Sequence, residues 1–261
     1  MTADMVRLYL RRVKGAELTT LDELWNSTSP SAKTFSDAAA TLDEPVRAYF
    51  ARTFSPGAVL PRAARLRMHG EIKLNRWLPF EAEQVLHLDR GMVWKAKVRM
   101  GRMRISGWDR MIGGRGDMVW KLFGLVPMLK SSGPNVDRSA IGRYHAESIW
   151  LPSRLFERAE WLRSAQQGSL EVSLSDWGQA TTLRLTTNQT GDLVSVASNR
   201  WGNPQGKEYA EHPFGAWIEE SRAFERITIP TKVRVGWFFG SPQFETDGEF
   251  FRAEVTSAIF K

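Results

Sequence analysis

The spacing of apolar residues changes near Ala64 and divides the chain into a helical start and a mostly β remainder. From Leu66 onward, apolar residues alternate with polar ones in one segment after another. A two-residue repeat places successive side chains on opposite faces of a strand. One-sided strands joined by short links are typical of an antiparallel sheet. The predicted strands centre on residues 66–74, 80–86, 94–100, 103–109, 170–174, 183–185, 194–196, 214–218, 233–239 and 251–259.

Before Ala64 the spacing of apolar residues is helical. Residues 4–14 predict a basic amphipathic helix, and residues 20–23 begin a second, short one. Residues 42–50 predict a third helix, with Asp43 as its cap and Pro45 in its first turn. No long linker interrupts the later segments. We therefore expect an N-terminal helical extension over residues 1–40 and a single α+β domain over residues 41–261.

The glycine cluster at residues 113–116 is predicted to form a turn. It lacks the Lys-Ser/Thr ending of a phosphate-binding loop and the spacing of a dinucleotide fingerprint. After it, the apolar residues 118–123 predict a buried helix capped by Asp117.

The longest helical signal lies in the middle of the chain, from Ser139 to about Ile149, with Asp137 as its expected cap. At about 100° per residue, one face is predicted to fasten the helix to the sheet. An adjoining face carries Arg143, Glu147 and Trp150, and the first two can pair across one helical turn. β-like sequence on both sides predicts a curved, largely antiparallel, half-barrel-like sheet wrapped around central helices. The residues of the first face are Ile141, Tyr144, Ser148 and Leu151.

The same segment carries a resemblance to a known family through the block Arg143-Tyr144-x-x-Glu147-x-x-Trp150-x-Pro152. With other pieces of the chain, it resembles a bacterial family of uncharacterised proteins, a domain of unknown function, over about residues 42–260. The resemblance implies no activity, cofactor or catalytic residue. The order of strands and helix is also similar to the half-barrel of bacterial lipoprotein carriers, which implies a fold alone. The other pieces include Glu44-Pro45-Val46-Arg47, Trp77-x-Pro79-Phe80, Asp109, Gly114-x-Gly116, Arg200 and Trp237.

Composition narrows the class of protein. The 261 residues include no cysteine, which excludes disulfides and thiolate metal sites. The first residues contain Asp4 and several Arg, so no apolar signal core is expected. No run approaches the roughly 20 apolar residues that a bilayer-spanning helix needs. We expect a cytoplasmic protein.

The net charge of +7 is carried by the first part of the chain. Residues 1–110 contain 19 Lys and Arg against 12 Asp and Glu, whereas residues 111–261 contain 17 of each. A solvated basic face explains this excess, and weak contact with an anionic membrane is the alternative. Nucleic-acid binding is not expected, because Lys95, Lys97 and Arg99 face away from Trp94 on their strand.

Two functions remain open. An aromatic-rich curved sheet closed by a helix favours a pocket for an apolar or lipid-like ligand, although a filled core fits the same composition. Alternatively, an enzyme could use Glu147 with Arg143, His145 and Asp109 as a carboxylate site. No nucleophile elbow occurs and the four histidines have no metal spacing, so no metal or cofactor is expected. The expected ligand-binding residues are Arg143, Tyr144, Glu147, Trp150, Asp109, Trp94 and Trp237, with Phe239 and Phe251 completing the lining.

Overall fold

A single antiparallel sheet organises the chain in a computed structural model that describes residues 20–35, 42–162 and 168–261. In these residues thirteen strands form one sheet, which confirms the predicted fold class. The first six strands form one meander and the last seven form another, and β1 pairs with β13 where the two meanders meet. The strands are β1 (Ala63–Lys73), β2 (Trp77–His87), β3 (Gly91–Met100), β4 (Met103–Ile112), β5 (Arg115–Leu122), β6 (Val126–Ser132), β7 (Glu160–Leu162), β8 (Ser169–Asp176), β9 (Gln179–Thr187), β10 (Leu193–Gly202), β11 (Ala210–Phe224), β12 (Ile227–Trp237) and β13 (Glu249–Phe260).

The connection between the two meanders explains why the helices lie inside the sheet. Strands β6 and β7 are the two edges of the sheet, and the chain between them is helical. It consists of α3 (Pro134–Ala146), a 3-10 turn (Glu147–Trp150) and α4 (Pro152–Arg158). Helix α3 contacts strands β4 to β6 on one side and strands β9 and β10 on the other. The sheet therefore curves around this crossing segment.

Two short helices precede β1. Helix α1 (Leu21–Asn26) begins with a capping box in which Thr20 and Glu23 bond reciprocally, and it packs on Val85 and Val93. Helix α2 (Glu44–Thr53) has Asp43 at the cap position and Pro45 in its first turn, as predicted, but the Asp43 side chain makes no capping hydrogen bond.

The crossing segment is anchored by the predicted apolar face. Ile141, Tyr144, Ser148 and Leu151 are all buried, as expected from the helical period. The Tyr144 hydroxyl donates to the backbone carbonyls of His87 and Leu88, and the Arg154 guanidinium lies 4.1 Å from the Tyr144 ring centroid. These contacts fix the helices to the turn between β2 and β3.

The helix predicted for residues 118–123 is wrong, because this segment is strand β5 and the turn after it. Residues 118, 120 and 122 face the concave side, whereas Asp117 lies on the outer side and accepts hydrogen bonds from Arg110. Apolar residues continue from β5 into the following turn and strand, where residues 123–129 are exposed on both faces. The two-residue period of β5 therefore cannot be read from the sequence. Periodicity alone cannot separate such a run from a buried helix.

Two local expectations also change. The N-cap of α3 is Gly133 rather than Asp137. The Asp137 carboxylate instead accepts a hydrogen bond from the Gly116 backbone amide at 2.7 Å, which ties the helix to β5. In β13, alternation over residues 251–259 predicts that Phe251 and Ile259 share one face. A register shift opposite Arg67 and Met68 instead turns Ile259 outward, where its side chain is half exposed.

The predicted helix over residues 4–14 lies outside the described residues. Residues 20–35 contact the sheet through α1 and through Phe35, which lies in the main core. The division of the chain at residue 40 stays a prediction. Within the described ranges, no helix combines the length and apolar character needed to cross a bilayer.

We expect Gly116→Ala to destabilise the protein by about 1–3 kcal/mol through overpacking. A Cβ at Gly116 would lie 2.8 Å from the Val136 carbonyl oxygen and 2.9 Å from the Ala140 Cβ. The control is Gly142→Ala, where the nearest atom is the Arg200 Cγ at 3.4 Å and alanine favours the helix. Urea denaturation measures both variants. Equal unfolding midpoints for the two would contradict direct helix–strand packing at Gly116.

Candidate functional site

A cluster of charged side chains lies where α3 faces β2 and β4. The Arg143 guanidinium donates to Glu147 at 2.6 Å and to Asp109 at 2.9 Å, so it binds both carboxylates. The second oxygen of Glu147 accepts from the Gln84 amide at 2.6 Å. The Trp120 indole N–H donates to Asp109 at 3.1 Å. The pair predicted within the helix is therefore part of a network that joins α3 and the 3-10 turn to β2, β4 and β5.

Burial and charge act against each other in this network. Burial raises the pKa of the Asp109 carboxyl, and the adjacent Arg143 guanidinium only partly offsets this effect. For Arg143, burial acts to lower the pKa, but the carboxylates of Glu147 and Asp109 outweigh it and the pKa is raised. One guanidinium thus stabilises two carboxylates that are each largely removed from water.

A second guanidinium, Arg200 on β10, faces the same concavity and differs in its partners. Its centre lies 4.5 Å from the Phe214 ring and 5.2 Å from the Trp237 ring. It donates to the backbone carbonyl and the hydroxyl of Ser139. Among the described residues, no carboxylate lies within ion-pairing distance of it. Burial and the neighbouring Arg143 lower the pKa of Arg200 to about 9, so it remains charged at neutral pH.

Aromatic rings form the floor of the concavity next to these charges. Trp94 contacts Trp120, Phe80 and Phe251, with ring centroids 5.8 to 6.0 Å apart. Trp237 contacts Phe214 at 5.0 Å on the other meander. We call this set the aromatic floor. Its members are Phe80, Trp94, Trp120, Phe214, Trp237 and Phe251.

The aromatic floor is open at one end. Trp120, Trp237 and Phe251 are partly exposed, as is Val235, and these residues lie towards one end of their strands. Deeper in the floor, the buried Trp94 indole N–H has no hydrogen-bond partner in the described residues, and neither does the buried carbonyl oxygen of Gln84. Trp94 and Gln84 are directly opposite each other on β3 and β2. Most buried polar groups in proteins are hydrogen-bonded, which makes these two atoms unusual.

The structure brings Arg143, Glu147, Asp109 and Trp94 together, and the Arg143 guanidinium centre lies 5.3 Å from the Trp94 ring. Trp237 and Phe251 lie in the same concavity. Other predicted site residues have different surroundings.

Tyr144 and Trp150 point into the core. Tyr144 anchors the helix as described above, and the Trp150 indole N–H donates to the Pro230 carbonyl on β12 at 3.0 Å. Phe239 lies on the outer side, against Trp217 with ring centroids 4.7 Å apart. The backbone reverses at Phe238, which has a positive φ of 56°, and this breaks the alternation that placed Phe239 inside.

His145 belongs to a separate buried network. Its Nε2 lies 2.9 Å from Asp176 and its Nδ1 lies 2.8 Å from the Thr181 hydroxyl, while Arg154 also binds Asp176. Burial acts to raise the pKa of Asp176, but the His145 hydrogen bond and the Arg154 guanidinium lower it to about 2. His145 therefore holds α3 against β8 and β9 and does not join the Glu147 cluster.

The outer face of the sheet carries an open groove of about 1140 Å³ beside α1. Lys95 and Lys97 line it together with Trp108, which sits opposite Lys95 on the neighbouring strand. These cations also face Glu83 and Glu81 on β2, so the charge of the groove is mixed. No three His, Asp or Glu side chains in the described part of the chain gather as a metal site.

Sequence reasoning did not assign four residues of the concavity to the site. They are Arg200, Gln84, Trp120 and Phe214. Gln84 carried a usable signal, because it interrupts the apolar face of Phe80, Ala82 and Leu86. Strand β10 continues through Arg200 to Gly202, well beyond the predicted strand centre at residues 194–196. A Cβ at Gly202 would lie 2.2 Å from the Trp237 indole, so this glycine makes room for the ring.

We expect Arg143→Met to destabilise the protein by about 3 kcal/mol or more, because it leaves two buried carboxylates without their cation. The triple change Asp109→Asn, Arg143→Met and Glu147→Gln should recover most of this loss. Arg138→Met on the same helix is the control, since its exposed pair with Glu211 is worth at most about 1 kcal/mol. Thermal and urea unfolding report all three. A triple variant no more stable than Arg143→Met would contradict the charge argument.

A pH effect is expected at His87, which is buried and accepts the Asp89 backbone N–H at Nδ1. Burial lowers the pKa of His87 to about 4, from a usual value of 6.5. The unfolded chain therefore binds the proton first. The stability from neutral His87 is complete above pH 6.5 and is lost as the pH falls towards 4, by at most about 3 kcal/mol.

The variant His87→Asn keeps an acceptor for the Asp89 amide and cannot titrate. The difference in unfolding free energy between wild type and this variant should change between pH 6.5 and 4. A difference that stays constant over that range would rule out His87 as the titrating group.

The comparisons with known proteins identify a family. A putative outer membrane lipoprotein-sorting protein domain from Vibrio parahaemolyticus aligns at a TM-score of 0.44 and 9% identity, over 85% of this chain and 93% of that one. A LolA superfamily protein from Nitrosomonas europaea aligns at a TM-score of 0.44 and 9% identity, over 88% of this chain and 94% of that one. No curated protein matches the sequence. A family model matches residues 32–246, starting earlier and ending earlier than the range expected from the resemblance, and the chain belongs to that family, the family of unknown function DUF6544.

Proposed function

We propose that the protein binds an amphiphile, with an apolar chain on the aromatic floor and an anionic head at Arg200. The observation that carries this proposal is the guanidinium of Arg200, which faces an open aromatic surface and has no ion-pair partner among the described residues.

The hydrogen-bond donors of Arg200 support an anionic head group. A guanidinium has five N–H donors, and Arg200 uses two of them on Ser139. The other three have no hydrogen-bond partner among the described residues and can bind a carboxylate or phosphate, which matches the planar fork of arginine. Arg143 is not available in this way, because Asp109 and Glu147 already neutralise it.

The exposed rings of the aromatic floor support an apolar chain in the ligand. Trp120, Trp237 and Phe251 remain partly exposed on the concave side, and aromatic rings gain free energy when an apolar ligand covers them. Ligand sites commonly combine an apolar wall with a few placed polar groups. The Trp94 N–H, which has no hydrogen-bond partner among the described residues, adds such a group near the charges.

The alternative of a carboxylate enzyme at Glu147 has weaker support. Both oxygens of Glu147 accept hydrogen bonds, from Arg143 and from Gln84. Asp109 likewise accepts from Arg143 and Trp120. A carboxylate engaged in this way is well suited to hold the helix and the floor together. The cytoplasmic location expected from the sequence remains part of the proposal.

Binding can be tested with laurate and its uncharged analogue dodecanol, using quenching of tryptophan emission. We expect wild type to bind laurate more tightly than dodecanol. Arg200→Gln should weaken laurate binding by about tenfold or more, as expected for a charge-assisted hydrogen bond, and should leave dodecanol binding nearly unchanged. Arg184→Gln on the outer face of β9 is the control.

Organic extraction of the purified protein, followed by mass spectrometry, gives a second readout. Co-purified acidic lipid supports the proposal. Clean extracts, together with no quenching by either amphiphile, would count against a binding site and favour a filled core.

A further inference from the structure

Three hairpin tips lie side by side at one end of the sheet. They are the β1–β2 turn (residues 73–77), the β3–β4 turn (residues 100–104) and the β5–β6 tip (residues 121–130). Strands β1 to β6 are neighbours in chain order, so alternate turns fall at the same end and in sequence along the edge. We call these three segments the hairpin rim.

The β5–β6 tip exposes an unusual amount of apolar surface. Exposed fractions are 56% for Phe123, 81% for Leu125, 58% for Val126, 54% for Met128 and 46% for Leu129. These residues belong to both faces of the hairpin, so the tip extends beyond the body of the sheet. A contiguous exposed apolar patch of this kind marks an interaction site in most soluble proteins.

The other two turns continue this surface. Leu74 in the β1–β2 turn is 57% exposed, and Met103 in the β3–β4 turn is 38% exposed. The apolar surface therefore extends across the hairpin rim and is not confined to one tip.

The charges of the hairpin rim are all positive. The three segments contain six Lys and Arg and no Asp or Glu. Among the described residues, Arg102, Arg104 and Lys121 have no carboxylate within ion-pairing distance. The next connection at this end, residues 238–248, carries Glu245 and Asp247 and no Lys or Arg, so the wholly basic run of turns stops at the β1–β2 turn. The six cations are Lys73, Arg76, Arg102, Arg104, Lys121 and Lys130.

The order of charge and apolar surface fits a lipid interface. Lys121 and Lys130 flank the β5–β6 tip, and the apolar residues lie between them. Four residues of strand from Lys130 to Val126 span about 13 Å. That length places apolar side chains in the headgroup and upper acyl region, about 5–10 Å deep, while the lysines stay at the anionic surface.

A second copy of the chain is a poorer partner for this surface. It would bring two sets of six cations together without an acidic residue in any of the three segments. An anionic bilayer supplies negative charge and apolar depth in the required order.

We propose that the hairpin rim docks on an anionic membrane, with the β5–β6 tip inserted among the headgroups. The open end of the aromatic floor lies at the same end of the sheet, because Phe251 is paired with Ile72 just before the β1–β2 turn. Docking would thus face the ligand site towards the lipid. This reason for docking rests on the ligand-binding function proposed above. The basic and apolar surface of the hairpin rim is observed independently of that function.

Vesicle flotation of the full chain tests the proposal, with phosphatidylcholine alone and with an equal mixture of phosphatidylcholine and phosphatidylglycerol. We expect binding to the anionic vesicles and its loss at high salt. The double change Arg102→Gln and Arg104→Gln should weaken binding by roughly thirtyfold, since each surface cation contributes about fivefold. Leu125→Ser with Met128→Ser should weaken it by a similar factor or more.

Ile259→Ser is the matched control, because it removes a half-exposed apolar side chain from the outer face. It should bind vesicles as wild type does. Equal binding to both vesicle types, or no loss in the tip variant, would overturn the proposal. So would a wild-type dimer in sedimentation that the tip variant converts to a monomer.

Laurate binding by the tip variant without vesicles separates the two proposals. Unchanged laurate binding with lost vesicle binding supports docking as a distinct property. Vesicle binding by wild type without any laurate binding supports docking and removes only the ligand function.

Discussion

The fold depends on how one charged helix is accommodated inside an apolar concavity. The chain must pass from edge strand β6 to edge strand β7, and it does so across the inner face of the sheet. Helix α3 brings Arg143 into this interior, where an unpaired cation is costly. Asp109 and Glu147 neutralise it from β4 and from the next helical turn. The polar residues on the concave face of the first meander are therefore a consequence of the crossing.

This arrangement also explains why Arg143 and Arg200 differ in their partners. Arg143 is bound by carboxylates, whereas Arg200 lies across the helix on the second meander and is supported by aromatic rings and Ser139. Stacking and neutral hydrogen bonds hold a guanidinium in place without cancelling its charge. Of these two arginines, Arg143 is neutralised, whereas Arg200 has no carboxylate partner among the described residues and uses two of its N–H donors on Ser139.

The sequence predicted the strands well where one face is buried, because alternation is a local property of the chain. It identified the Arg143–Glu147 pair for the same reason, since four residues along a helix are neighbours. It failed for residues 118–123, where both faces of the hairpin beyond Leu122 are exposed and alternation disappears. Gln84 could not be placed beside Glu147, nor Arg200 beside Ser139, because both contacts depend on strand register and on the path of the crossing segment.

The departures from alternation share a physical feature. Gln84, Asp109 and Arg200 are polar residues on apolar faces, and Phe123, Leu125 and Met128 are apolar residues at solvent-exposed positions. The first group lies within the concavity and the second at the end where the concavity opens. Each departure costs stability in the isolated chain. The Arg143 network accounts for Gln84 and Asp109. Arg200 and the exposed apolar tip are the departures that the proposed ligand and the proposed membrane contact would explain.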